Sequence, residues 1–181
     1  MKKDIEKIIE IPEGVEVSLN NSEIIVKSKG KESKKTFNLP NTIKIIKDNK
    51  NLKISAKKST KRESKLIGTS VAHIENMING MNEDFEYKLE ICNIHFPMNV
   101  KIEGNKMIIK NFLGEKVDRF AKILPGVKVE VKANKVNISS HNREAAGQTA
   151  ANVETATKVK GRDRRIFQDG IFLTEKCGRK I

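Results

Sequence analysis

The chain has 181 residues, 36 Lys and Arg against 23 Asp and Glu, a net charge of +13 and a pI near 9.7. So large an excess of one sign goes beyond what solubility requires and points to a polyanionic partner, nucleic acid before an anionic membrane surface. No run of 18 apolar residues is present to span a membrane, and the charged opening Met1-Lys2-Lys3-Asp4 is unlike a signal peptide, so a cytoplasmic protein without a membrane partner is expected.

In the first half, apolar and polar residues alternate over Val15–Leu19, Ile24–Lys27, Ile43–Lys47 and Leu52–Ala56. The turn pairs Asn20-Asn21 and Asp48-Asn49 separate them, which predicts antiparallel hairpins with one buried face. Ser28–Lys35 is read as a basic hairpin tip, an RNA contact or a plain loop in equal measure. Thr60 and Glu63 have capping-box spacing. After them Leu66, Ile67, Ser70, Val71, Ile74, Met77 and Ile78 form a helical stripe that Gly80 is expected to end. Lys53, Lys57, Lys58, Lys61, Arg62 and Lys65 gather around the start of that helix. Lys57, Lys58, Lys61 and Arg62 are secondary candidates for RNA contact, with a solvated surface as the competing reading.

Asp84–Ile91 alternates again and is expected to be a strand passing from one domain into the next. Strands follow at Val100–Glu103, Met107–Asn111, Val117–Ile123, Val127–Val131 and Lys135–Ser139. A helix then runs from about Asn142 to Thr157, with Ala145, Ala146, Thr149, Ala150, Val153 and Ala156 inward and close to the sheet. The two halves repeat one another. Pro12 to Pro97 and Pro40 to Pro125 are each 85 positions apart, and Leu52-Lys53-Ile54-Ser55 answers Val136-Asn137-Ile138-Ser139 at 84. Gly68, Ala72 and Glu75 answer Gly147, Ala151 and Glu154 at 79. The pattern predicts an α+β protein of two tandem duplicated domains, 1–82 and 83–181, each an antiparallel sheet with one helix packed on a face.

The last segment, 158–181, carries eight Lys or Arg against Asp163, Asp169 and Glu175, with three glycines and with Ile166, Phe167, Ile171, Phe172 and Leu173 interleaved. Neither helical nor strand periodicity accounts for it. Guanidinium groups on a glycine-bent backbone pair two-pronged with phosphates, so the segment is read as RNA-facing and ordered on RNA, with a solvated basic tail as the competing reading, and is expected to be disordered in isolation. Catalytic patterns are missing. The three histidines, His73, His95 and His141, lack ligands at metal spacing, no nucleotide-binding or hydrolase motif occurs, and Ser139-Ser140-His141 reads as a helix cap. Cys92 and Cys177 are expected as free thiols. No enzyme, no cofactor and no metal are expected.

The duplication together with Lys160-Gly161-Arg162-Asp163-Arg164-Arg165-Ile166-Phe167-Gln168-Asp169-Gly170-Ile171-Phe172-Leu173 resembles the large-subunit ribosomal protein six family. The likeness spans essentially the whole chain and is to the form found in archaea and eukaryotes; the bacterial branch has a different tail. Phe172 departs from the tyrosine of many members. The resemblance implies a structural constituent of the large ribosomal subunit that binds its 23S-type rRNA near the sarcin–ricin loop and stalk base, beside the docking region of translational GTPases. It also implies neighbouring large-subunit proteins as partners, and no stand-alone homo-oligomer. Carried over residue by residue, the rRNA contacts are Lys158, Lys160, Arg162, Arg164, Arg165, Lys176, Arg179 and Lys180. Phe167 and Phe172 are read as packing residues before base-stacking ones. The alternative is a free-standing RNA-binding regulatory protein, which neither helix supports with a groove-reading face.

Overall fold

A computed structural model describes residues 3–20, 22–28, 30–48 and 50–181. Asn21 and Asn49, named above in turns, and Lys29 in the basic loop lie outside the described residues. Two units divide the chain, Met1–Glu83 and Asp84–Ile181.

In the first unit the strands are β1 (Lys3–Glu10), β2 (Glu16–Asn20), β3 (Glu23–Ser28), β4 (Lys31–Thr36), β5 (Ile43–Asp48) and β6 (Asn51–Ser59), followed by helix α1 (Lys61–Asn82). They pair antiparallel as two sheets, β1–β6–β5 and β2–β3–β4. Period-two alternation does the sorting: Val17, Ile24, Val26, Leu52 and Ile54 are buried while their neighbours along each strand face out. Onto them α1 lays Ile67, Ser70, Ile74, Met77, Ile78 and Met81.

The capping box forms. Thr60 Oγ1 accepts from the Glu63 N–H at 3.4 Å, and Glu63 Oε2 accepts from the Thr60 N–H at 2.6 Å. Thr60→Ala removes one half of that exchange, and urea unfolding of the intact protein is expected to show a loss of about 1 kcal/mol.

Three expectations change. Strand β1 was not foreseen, because Ile5, Ile8 and Ile9 do not alternate cleanly. Ile9 is buried and Ile8, on the other face of the strand, is 59% exposed; nearer the start a bulge lies between Lys3 and Ile5, and opposite it Lys58 takes φ +50° and donates its N–H to Asp4 Oδ1 at 2.7 Å. The basic loop is mostly the strand β4, with Ser33 buried. Gly80 does not end α1; it is buried inside the helix, which runs on to Asn82 so that Met81 reaches the core.

The second unit repeats the plan with β7 (Phe85–Cys92), β8 (Asn99–Glu103), β9 (Lys106–Lys110), β10 (Arg119–Lys122), β11 (Lys128–Lys132), β12 (Lys135–Ser140) and α2 (Arg143–Ala156). β7 belongs wholly to this unit, where it pairs with β12 as β1 pairs with β6. Before the short β10, a single 3₁₀ turn at Phe112–Gly114 sends Phe112 and Leu113 into the core. Asn142 caps α2 by accepting from the N–H groups of Glu144 and Ala145 at 3.0 and 3.2 Å. Ala146, Thr149, Ala150 and Val153 are buried, whereas Ala145 and Ala156 are only partly so. Gly147 explains how close α2 lies: a Cβ there would sit 3.1 Å from the Tyr87 hydroxyl oxygen.

The largest correction concerns the tail. Residues 170–180 form β13 (Gly170–Lys176) and β14 (Arg179–Lys180), giving the sheet order β11–β12–β7–β13–β14. A basic segment expected to stay disordered without RNA instead occupies the free edge of β7, with Ile171 fully buried.

Candidate nucleic-acid interface

The site starts where α2 stops. Thr157, the C-cap, is buried, and its Oγ1 accepts from the Ile171 N–H at 2.9 Å, tying the helix end to β13. Carbonyls at a helix C-terminus favour a cation, and Arg119 supplies one. Its Nη1 donates to the carbonyls of Ala156 and Lys158 at 2.9 and 3.3 Å, and its guanidinium lies 4.2 Å from the centre of the Phe112 ring. Nε and Nη2 meet Glu115 at 2.7 and 2.5 Å. Those bonds hold the Glu115 carboxyl below the usual carboxylate range against an opposing effect of burial.

From this anchor the chain turns out through Lys158–Gln168. Val159 is buried, Gly161 takes φ +70°, and Asp163 then organises a turn. Its Oδ1 accepts from the Arg165 N–H at 2.9 Å, and its carbonyl accepts from the N–H groups of Ile166 and Phe167 at 3.1 and 2.9 Å. Gln168 closes it by donating to the Arg165 carbonyl at 3.0 Å. The result is a fixed turn from which Arg162, Arg164 and Arg165 project, all exposed. Arg164 and Arg165 stand at an open cleft of about 990 Å³, with Cys92, Ile94, Lys158 and Phe172 also in its lining.

The far end of the turn is locked by a pair that sequence reading missed. Asp169 is 2% exposed; Oδ1 accepts from the His95 N–H at 2.9 Å, and Oδ2 lies 2.5 Å from His95 Nδ1. Burial pushes the Asp169 carboxyl up, but the bonds from His95 and the Ile94 N–H outweigh it and leave the group below its ordinary value. Burial also raises the Cys92 thiol nearby, with Glu90 and Asp169 adding to the shift. The His95 ring stacks on Phe167 at 4.9 Å between centres, and the Arg162 guanidinium lies 4.8 Å from the same ring. Phe167 therefore serves to hold Arg162 and His95, a packing role. Phe172 folds over Gly170, where a Cβ would come within 2.9 Å of its ring.

The eight tail candidates are all exposed, but they fall into two groups. Lys158, Lys160, Arg162, Arg164 and Arg165 precede β13, whereas Lys176, Arg179 and Lys180 lie at the β13–β14 hairpin. At about 3.3 Å per residue, β13 separates them by roughly 20 Å. The hairpin turns at Cys177 and Gly178, both with positive φ (49° and 81°), as a two-residue primed turn requires. Lys57, Lys58, Lys61 and Arg62 are exposed in the first unit, on the end of β6 and the first turn of α1. Their neighbour Lys53 is engaged with Glu6 at 2.6 Å. No signal in the sequence links His95 to Asp169, 74 residues away, or Arg119 to the end of α2.

Comparison with known proteins decides the family. The model described as "Ribosomal protein L6" matches residues 11–84 and again 96–170, one match in each half of the duplication. The chain belongs to the ribosomal protein L6 family. It is 49% identical over 177 residues to the "Large ribosomal subunit protein uL6" of Methanococcus vannielii, covering 98% of this chain and 97% of that one. The protein of the same name from Methanobrevibacter smithii is 46% identical over 172 residues, covering 95% and 96%. Within this L6 chain the second match ends at Gly170, so it takes in the Arg162–Arg165 turn and stops where β13 begins.

Proposed function

We propose that this L6-family chain is a structural constituent of the large ribosomal subunit that binds large-subunit rRNA through the segment 158–181. The relatives are named as large-subunit proteins. The observation that carries the reading is the Arg162–Arg165 turn. Three exposed guanidinium groups project from a backbone fixed by Asp163 and Asp169, so the backbone need not be ordered anew when they meet phosphates. Folded RNA offers phosphates, 2′-hydroxyls and shape, and a rigid basic turn suits that better than a base-reading helix. The rRNA contacted lies near the sarcin–ricin loop and the stalk base, where the protein supports the region used by translational GTPases and meets neighbouring ribosomal proteins.

Changing Arg162, Arg164 and Arg165 together to Ala tests this. Binding to large-subunit rRNA fragments across a salt series is expected to weaken and its salt slope to become shallower by about 3. Selective binding to a fragment containing the sarcin–ricin loop is the expected specificity. Unchanged binding by the triple variant would move the anchor away from the turn, with Lys57, Lys58, Lys61 and Arg62 next to test.

A further inference from the structure

The duplication provides an internal control for surface function, because the same face can be compared in both copies. Sheet β2–β3–β4 of the first unit and β8–β9–β10 of the second occupy corresponding places, and each turns one face to its core and the other outward. Residues opposite one another on antiparallel strands share a face. In the first unit the central outward row is Ser18, Ile25 and Lys34. In the second it is Lys101, Ile108 and Phe120. Each row is centred on an isoleucine, which Ser18 and Lys34 flank in the first unit and Lys101 and Phe120 in the second.

The flanking rows differ in the same direction. Around Ile25 stand Glu16, Glu23 and Glu32 with Lys27, an acidic surround. Around Ile108 stand Lys106, Lys110 and Lys122, with Glu103 beside Lys106 and Asp118 bound to Lys110 at 3.2 Å. Phe120 is 58% exposed on the edge strand β10, with Ile108 opposite it on the central strand β9 and Lys122 two residues along its own strand. An exposed aromatic costs solubility and contributes nothing to the core beneath, whose contacts come from Met107, Ile109 and Ala121 on the other face.

We infer that the outer face of β8–β9–β10 is a second RNA-binding surface, on which Phe120 stacks an unpaired base and Lys101, Lys106 and Lys122 meet the adjoining phosphates. The inference rests on the rRNA-binding reading above but uses none of the residues of the tail. Three strands span about 10 Å and β9 about 13 Å from Lys106 to Lys110, room for two or three nucleotides laid across a sheet. The charge of the face selects RNA over an apolar protein partner, and the flat, sequence-tolerant ring suits a looped-out or single-stranded stretch.

The test uses the full chain and deproteinised large-subunit rRNA. Ultraviolet cross-linking of the unmodified protein, read by mass spectrometry, is expected to leave a nucleotide on the peptide containing Phe120. Phe120→Leu keeps the residue apolar and is expected to weaken binding roughly tenfold with no change in thermal melting. Lys101, Lys106 and Lys122 all changed to Ala are expected to lower the salt slope by about 3. Should both face variants bind as wild type while the Arg162/Arg164/Arg165 variant loses affinity, the face is not an RNA site and the tail reading stands. Should all three bind as wild type, both readings fall. A loss of incorporation into large subunits with rRNA affinity unchanged would make the face a protein contact and overturn the inference.

Discussion

Asp169→Ala is expected to lower the stability of the C-terminal unit by roughly 2–3 kcal/mol, measured by urea unfolding, and to loosen the Arg162–Arg165 turn. The size follows from what the carboxylate holds. It is almost completely buried and accepts from the His95 backbone and ring, so its removal leaves an inward N–H without a partner. His95 is partly exposed, which keeps the loss below that of a fully enclosed pair. Trypsin cleavage after Arg162, Arg164 and Arg165 is expected to accelerate in the variant, and hydrogen exchange at Ile166 and Phe167 to rise with it. Protection equal to wild type would show that Asp163 alone sustains the turn.

The same residue predicts an acid response. Asp169 is held below its ordinary pKa in the folded chain, so its contribution is fully present above about pH 4 and is lost as pH falls through the lowered value. Asp169→Asn cannot lose that charge. Its stability deficit relative to wild type is therefore expected to be constant near neutrality and to shrink towards zero in strong acid. A deficit that persists unchanged at low pH would mean that shape, and not charge, is what the site requires.

What the sequence disclosed and what it concealed follow from the range of the forces involved. Hairpins such as β2–β3 and the helix α1 are set by neighbours within a few positions, through alternation and through Thr60 and Glu63, and these are plain in the chain. The duplication made the second unit readable from the first. Concealment began where a distant partner decides the outcome. Gly170–Lys176 has no clean alternation, yet it becomes a strand because β7 offers an unpaired edge and a core vacancy for Ile171. Arg119 looks like another surface cation until it meets the end of α2. The arginines were legible as the ligand-bearing groups; Asp163, Asp169 and His95, which fix where those arginines point, were not.

Ile171→Ala is expected to cost about 3 kcal/mol, whereas Arg179→Ala, exposed on β14 beyond the hairpin turn, should leave stability unchanged within error. Ile171 is completely enclosed in the core of the second unit, opposite Ile91 on β7, and its N–H is claimed by Thr157. Ending the chain after Asp169 is more severe. It removes β13 and β14, uncovers the edge of β7 and empties the Ile171 site, so the truncated protein is expected to lose its cooperative unfolding transition for this unit and to aggregate through the bare strand. A tail that served only as a basic arm would behave differently: truncation would abolish RNA binding and leave melting intact. Because fold and charge reside on separate side chains of one segment, the two roles can be measured apart. Arg164 and Arg179, which are exposed, report on RNA affinity, and Ile171 reports on the scaffold, losing RNA affinity only in proportion to the fraction of protein that unfolds.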